Sequence, residues 1–544
     1  GELLNIEMQA GDLQFYQNRA LFYGSRLVNS ALQVGEKYDK MKNRCVATLR
    51  KSNPGVLHIF FYREMCLSGT FFTRKEAVFF MTTNTKAKPR KADKMRSTPP
   101  HQLLLKMGIP MICSMVLQAM YNIVDSAFVS NMPENGEAAL NALTLAFPMQ
   151  MLMIAVSIGT GVGVNALVSK SLGQGDTEKA SRTAGNGGFL AVLIFLLCVF
   201  FGIFGVAPYI HLQTKDFLIA DMGISYLRIC CILSVGIIFF SIYEKLLQAS
   251  GNPIFSTIAQ ISGAVCNILL DPILIYGWCG LPELGVRGAA YATVLGQILS
   301  FLLAWIFHCK VDKQISNKLQ YWKPNSTIIR EIYAIGLPAI LAQALMSVMT
   351  YGMNLILGSV NTALVTAYGL YYKIQQFILF AAFGLRDAIT PVLSFYHGMR
   401  SRARIRYGIR YGMLYTWIIM LAGTLLIEVL AIPFAKLFGL SGETEQLCIE
   451  AMRIISISFL FAGTNIALQG IFQALDSGLE SLIISVCRQI LFVLPVAWLF
   501  SLTAKANFNQ SWLIWLTFPI AELVSMGIGF GCLHRIQKTK IAKL

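Results

Sequence analysis

Charge is what this chain has least of. Only 13% of its 544 residues are Asp, Glu, Lys or Arg, 55% are hydrophobic, and the mean hydropathy is +0.58. A water-soluble core cannot hide that much apolar surface, so lipid has to be the solvent. Pairing patterns among the 12 Cys are also missing, since no CxxC or His-linked spacing occurs. Cys113, Cys198, Cys230, Cys231 and Cys266 fall inside apolar runs, where Cys behaves as a small hydrophobe. No metal site or disulfide framework follows. The few His residues give no proton relay, because His211, His308, His397 and His534 lie at or near loops. The net charge of +17 does not make residues 81–544 a nucleic-acid binder, because the Lys and Arg residues sit in short loops between apolar runs.

What is present is a recurrence of apolar runs from Leu103 onward. They predict twelve helices, at 103–130, 140–170, 182–208, 217–248, 253–277, 287–309, 327–357, 362–396, 405–436, 443–474, 478–503 and 510–533. Most exceed the roughly 20 residues that a span needs, so they tilt or project beyond the hydrocarbon. The basic loops set the orientation. Lys86, Lys88, Arg90, Lys91, Lys94 and Arg96 precede the first helix, and Lys170, Lys179 and Arg182 join the second and third. Lys310, Lys313, Lys318 and Lys323 join the sixth and seventh, Arg400, Arg402, Arg404, Arg406 and Arg410 the eighth and ninth, and Arg535, Lys538, Lys540 and Lys543 end the chain. All fall on one side of a twelve-helix protein, so both termini are expected in the cytoplasm.

The chain repeats itself at an offset of 225 to 228 residues. GIP at 108–110 returns as GLP at 336–338, LVSKSLG at 167–173 as VLSFYHG at 392–398, and LLQASG at 246–251 as IFQALD at 471–476. Six helices per repeat bring the chain back to its starting side, so the halves lie parallel about an axis along the membrane normal. The expected fold is an all-α polytopic membrane protein of two parallel six-helix bundles. Its segments are an N-terminal extension at 1–80, a basic cytoplasmic arm at 81–102 and a first lobe at 103–310. A cytoplasmic linker follows at 311–326, then a second lobe at 327–535 and a basic tail at 536–544.

Within this apolar background AVCNILLDPILIYG, residues 264–277, carries Asn267, Asp271 and Pro272. A carboxylate at bilayer depth costs about 2.5–3.5 kcal/mol even on forgiving scales, so it marks chemistry. At 1.5 Å per residue Asp125 lies about 33 Å along the first helix, Asp271 about 27 Å along the fifth, and Thr293 about 9 Å from the start of the sixth. Asp125, Asn267, Asp271 and Thr293 can therefore converge in the outer part of one bundle. A buried carboxyl there can carry a proton while the site is closed and lose it when water enters. Carboxylate and amide oxygens also suit Na⁺ at Asp125, Asn267 and Asp271, so the choice between H⁺ and Na⁺ stays open. In the second repeat Asp125 falls opposite Met353, with Asn354 nearby, and Asp271 opposite Leu494, which assigns the ion site to the first lobe. Gln118, Tyr121, Asn354, Lys373 and Glu522 are candidate cavity residues, while Arg386 beside Asp387 reads as a structural pair.

Two resemblances follow. YNIVDSAFVS (121–130), IGTGVGVNALVSKSLGQGD (158–176), LLQASGNP (246–253), NILLDPILIYG (267–277) and LGVRGAAYATVLGQ (284–297) resemble the multidrug and toxic compound extrusion (MATE) family, in its DNA-damage-inducible prokaryotic branch. The resemblance implies a V-shaped pair of six-helix lobes in a prokaryotic inner membrane, working as a monomer that exchanges H⁺ or Na⁺ for cationic amphipathic compounds. It is not an enzyme and needs no cofactor beyond the coupling ion. Carried onto this sequence, the family's cation site falls on Asp125, Asn267, Asp271 and Thr293, whereas the acidic second-lobe site of Na⁺-coupled relatives is unmatched at Asn354. A lipid-linked oligosaccharide flippase of related fold would need more than twelve helices and a long cationic cavity. Residues 4–48, with Glu7 and Gln9 spaced E-x-Q, RALFYGSRL and GEKYDKM, resemble a fragment of a PD-(D/E)xK nuclease or transposase. A membrane-tethered nuclease would need upstream acidic ligands for its divalent cation. Their absence makes a non-functional segment the expectation, with Met81 as a natural start.

Overall fold

The computed structural model describes residues 43–53, 56–67, 70–82, 95–130, 132, 136–280, 282–437 and 442–544. Residues 1–90 and 91–544 form separate units. In the first unit β1 (Asn43–Asn53), β2 (Val56–Leu67) and β3 (Thr70–Thr82) make an antiparallel meander, registered at Ala47 with Phe61 and Phe61 with Ala77. The all-α expectation therefore applies to the membrane unit alone. Sequences such as VLHIFFYREMCL are rich in β-branched and aromatic residues, which suit strands. Met81, expected at a chain start, lies on β3. The Glu7 and Gln9 pair lies outside the described residues.

The second unit is helical. The first half comprises α1 (Pro100–Ser130), α2 (Gly136–Gln174), α3 (Thr177–His211), α4 (Phe217–Ile232 with Val235–Ala249), α5 (Pro253–Ile275) and α6 (Val286–Val311). The second comprises α7 (Ser326–Gly358), α8 (Thr362–Gly398), α9 (Arg402–Leu437), α10 (Gly442–Ser456 with Phe459–Ala474), α11 (Gly478–Ala506) and α12 (Thr517–Thr539). Ten described helices are long and apolar enough to cross a membrane, or twelve when α4 and α10, bent by 45° and 52°, each count as one span. Polar punctuation sets the boundaries. Asp176, Asp216, Asn325 and Asn361 each accept backbone N–H groups at the start of α3, α4, α7 and α8.

The internal repeat reappears as matched contacts. Ser169 donates to the Ala249 carbonyl and Ser394 to the Ala474 carbonyl, both at 3.4 Å. Where α2 crosses α8, Gly173 lies against the Phe395 carbonyl and Gly398 against the Lys170 carbonyl. Each contact is the other's copy about a two-fold axis. The turns after α2 and α4 use left-handed Gly175 (φ 82°) and Gly251 (φ 78°), and their second-half counterparts are Arg400 (φ 52°) and Asp476 (φ 54°). A non-glycine residue there costs roughly 1–2 kcal/mol. Asp476 uses its position, because its carboxylate pairs with Lys170 at 2.5 Å while Lys540 Nζ donates to its backbone carbonyl at 2.8 Å.

Burial separates the two ends of the bundle. At the end where the α6–α7 linker lies, one core joins both halves, with Leu104, Val168 and Leu246 packed among Ile332, Phe395 and Leu475. At the opposite end each half keeps its own core: Val129, Ala146 and Ile275 in the first, Tyr368, Ile427 and Trp515 in the second. Two bundles fused at one end and separately filled at the other are the V that the resemblance implies.

A Cβ at Gly173 or Gly398 has to displace a backbone carbonyl, which cannot swing away as a side chain can. Gly173→Val is expected to destabilise the membrane unit by about 1–3 kcal/mol. Gly527→Ala, where nothing lies within 4 Å, serves as the neutral control. Thermal unfolding followed by size-exclusion chromatography in detergent checks both, and equal midpoints for the two variants would refute the close crossing.

Candidate functional site

Close helix packing builds the site. Gly263 and Gly296 let α5 and α6 approach until each occupies the space of the other's missing Cβ, and Gly296 lies against Asn267. This brings Thr293 of α6 to Asn267, whose Nδ2 donates to Thr293 Oγ1 at 3.5 Å and to Asp271 Oδ1 at 3.4 Å. All three residues are buried, Asp271 completely. On the other side α1 runs along α5. Tyr276 Oη donates to the Phe128 carbonyl at 2.7 Å, and the carboxyls of Asp125 and Asp271 come within hydrogen-bonding range of each other. The structure thus gathers Asp125, Asn267, Asp271 and Thr293 from three helices.

The chemistry of this cluster lies in what its oxygens lack. Asp125 Oδ1, Asn267 Oδ1 and Asp271 Oδ2 are buried without a hydrogen-bond partner, and neither acid has a Lys, Arg or His in ion-pair range among the described residues. Two carboxyls in contact need a proton or a cation between them. Oxygens from two acids, an amide and a hydroxyl form a donor set that suits either.

A polar seam extends the site along α1 and α5. Thr257 Oγ1 donates to the Pro110 carbonyl at 3.0 Å, Ser114 hydrogen-bonds Gln260, and Gln260 Nε2 donates to Gln118 Oε1 at 2.8 Å. Gln118, expected to line a cavity, belongs to this seam. Ser114, Thr257 and Gln260 were not among the expected site residues. Their signal was the spacing of polar residues by three, four or seven positions, as in Ser114, Gln118 and then Asp125, or Thr257, Gln260 and then Asn267 and Asp271.

The second half is built differently. Opposite Asp125 and Asp271 stand Met353, wholly buried, and Leu494, which packs against Gly352. This half also buries carboxylates, at other positions, and pairs them with cations. Glu522 Oε1 receives two bonds from Arg488, at 2.9 and 2.6 Å, and Oε2 receives Asn465 at 2.7 Å. Asp387 takes Arg386 and Lys245. Glu522, Arg488, Gln489, Tyr372 and Phe518 line a cleft in this half. Asn354 and Lys373, offered as cavity residues, lie exposed on α7 and α8 and are not part of its wall. The side chain of Tyr121 lies outside the described residues.

The MatE family pattern matches residues 110–273 and 338–499, one match for each repeat. The chain belongs to the MatE family. Multidrug export protein MepA of Staphylococcus aureus is 23% identical over 428 residues, covering 78% of this chain and 91% of that relative. The Staphylococcus saprophyticus MepA is 23% identical over 421 residues, covering 77% and 90%. Among solved structures, an outward-facing multidrug resistance MATE transporter of the MOP superfamily superposes with a TM-score of 0.76. At 24% identity it covers 83% of this chain and 99% of its own. A MOP superfamily transporter from Pyrococcus furiosus, described as having a binding pocket of reversed polarity, gives 0.73 at 25% identity, covering 83% and 100%. This MatE chain is accordingly a multi-pass membrane transporter, of a family that acts on small organic substrates.

Proposed function

We propose that this MatE chain exports amphipathic organic compounds, organic cations among them, in exchange for H⁺ or Na⁺ bound at Asp125 and Asp271. The observation that carries the reading is that Asp125 and the buried Asp271 come within hydrogen-bonding range of each other and have no Lys, Arg or His in ion-pair range among the described residues, whereas the buried acids Asp387 and Glu522 of the second half are ion-paired. A site that balances its own charge has no use for an external ion. One that cannot balance it binds an ion, and the occupancy of that ion then favours one packing of α1 against α5. Asn267 and Thr293 complete the oxygen set around the ion, and substrate release follows when ion binding changes the position of α1. Antiport requires that substrate and ion favour opposite states of the site.

By the excess of Lys and Arg in its loops, we read the linker end and both termini as cytoplasmic, in a prokaryotic cell. Fusion of the two cores at that end then corresponds to a transporter open outward. The test is efflux of a lipophilic cationic dye from vesicles under an imposed proton gradient and, separately, a sodium gradient. One gradient is expected to drive efflux and the other to leave it at background. Efflux indifferent to both rejects ion coupling.

A further inference from the structure

Three ion pairs join the halves among the described residues, and all lie toward the linker end: Lys170 with Asp476, Lys179 with Glu331, and Lys245 with Asp387. The first two are partly exposed. The third is buried, with Lys245 Nζ 2.6 Å from Asp387 Oδ2 and the two side chains 2% and 5% exposed. A transporter that opens alternately to both sides has to break this pair, and a buried charge left without its partner is costly.

The surroundings of the pair remove that obstacle. On α8, Arg386 Nε and Nη2 donate to Asp387 Oδ1 at 3.0 and 2.8 Å, so the acid already holds a cation from its own half. On α4, Glu244 lies 3.9 Å from Lys245 Nζ, and Gln248 bridges them, accepting from Lys245 at 3.1 Å and donating to Glu244 at 2.8 Å. Two cations and two carboxylates thus sit together across the lobe boundary, and they divide evenly into one neutral pair per half.

The repeat shows that the fold itself does not require these charges. Counterparts 225 residues apart are Gln469 for Glu244, Gly470 for Lys245, Gly161 for Arg386 and Val162 for Asp387. Lys245 fills the space beside Gly161, and Arg386 fills the space beside Gly470. Each half therefore contributes one long cation to a single acid, from two matched helix crossings but from opposite members of each crossing.

Resting on the antiport reading above, we infer that Asp387 is the latch of the linker-end gate and that Glu244 and Arg386 are its exchange partners. When the gate opens, Lys245 leaves Asp387 for Glu244, and Asp387 stays with Arg386. Both halves separate without an uncompensated charge, so the pair holds the gate shut without locking it.

The test uses spin labels on cysteines introduced at Gln174 and Arg402, at the linker end of opposite halves, in the full chain with its native cysteines replaced. The unaltered gate is expected to give a short and a long distance. Glu244→Gln keeps the latch but removes the refuge for Lys245, so the long distance disappears and dye efflux falls by roughly tenfold or more. Adding Lys245→Gln leaves no cation to strand, so the long distance and efflux return. A long-distance population in Glu244→Gln equal to that of the unaltered protein overturns the proposal, as does failure of Lys245→Gln to restore it. If Glu244→Gln does not insert, Arg386→Gln poses the same question from the other side: it is expected to shut the gate, and Arg386→Gln with Asp387→Asn to release it. The distances are read without substrate or ion gradient, so they stand or fall separately from the transport reading.

Discussion

Asp271→Asn is expected to reduce gradient-driven dye efflux by about 100-fold or more while the protein inserts in normal amount. The amide matches the carboxyl in volume and keeps a hydrogen-bonding oxygen for Asn267, so packing of α5 on α6 survives. What it cannot do is release a proton or pair with a cation, and those are the two ways in which contact between Asp125 and Asp271 can be satisfied. Removing one of two touching acids also relieves their mutual repulsion, so the thermal midpoint is expected to rise as efflux falls. That opposition separates a coupling residue from a packing residue, for which stability and activity decline together. Efflux equal to that of the unaltered chain, measured in vesicles with matched protein content, rejects the role of Asp271.

The second large effect is one of stability. Arg488→Met strands the Glu522 carboxylate, which is buried and takes two of its three hydrogen bonds from that guanidinium. Breaking one side of a buried pair costs about 3–5 kcal/mol, whereas replacing both sides by neutral groups is often close to neutral. The double variant Arg488→Met with Glu522→Gln is therefore expected to recover most of the lost midpoint in a thermal unfolding series. If the single variant melts with the unaltered protein, Glu522 is not held as described. If the double variant melts no higher than the single one, the loss belongs to the shape of Arg488 rather than its charge.

These contrasts mark what the sequence makes legible. Helix positions follow from the length of apolar runs, and α5 at Pro253–Ile275 differs by two residues from the expected 253–277. The cluster at Asp125, Asn267, Asp271 and Thr293 was legible because an unpaired acid in an apolar run is conspicuous and helical rise gives its depth. Glu244 and Lys245 escaped notice because adjacent opposite charges look self-satisfied in a sequence. Their partner Asp387 lies 142 residues away and is reached only once the halves are folded together. Exposure of Lys373 and Asn354 was hidden for a related reason. Periodicity says that a helix has faces but not which face meets a neighbour, and the hydrophobic content of α7 is nearly even all round. The β meander at 43–82 leaves a weaker mark, because its strands of 11 to 13 residues are too short to stand out as apolar runs of bilayer length.

The crossing of α2 and α8 carries a consequence for how such a chain can arise. Gly173 against the Phe395 carbonyl and Gly398 against the Lys170 carbonyl are one contact made twice, so the face that each repeat presents is complementary to itself. An isologous surface of that kind needs no second gene product to complete it. A single six-helix unit bearing this face would already pair side by side with its own twin. Tandem joining would then supply only a tether, and the two copies, once tethered, could drift apart in sequence until one kept Asp125 and Asp271 without a cation and the other held Met353 and Leu494 in their places.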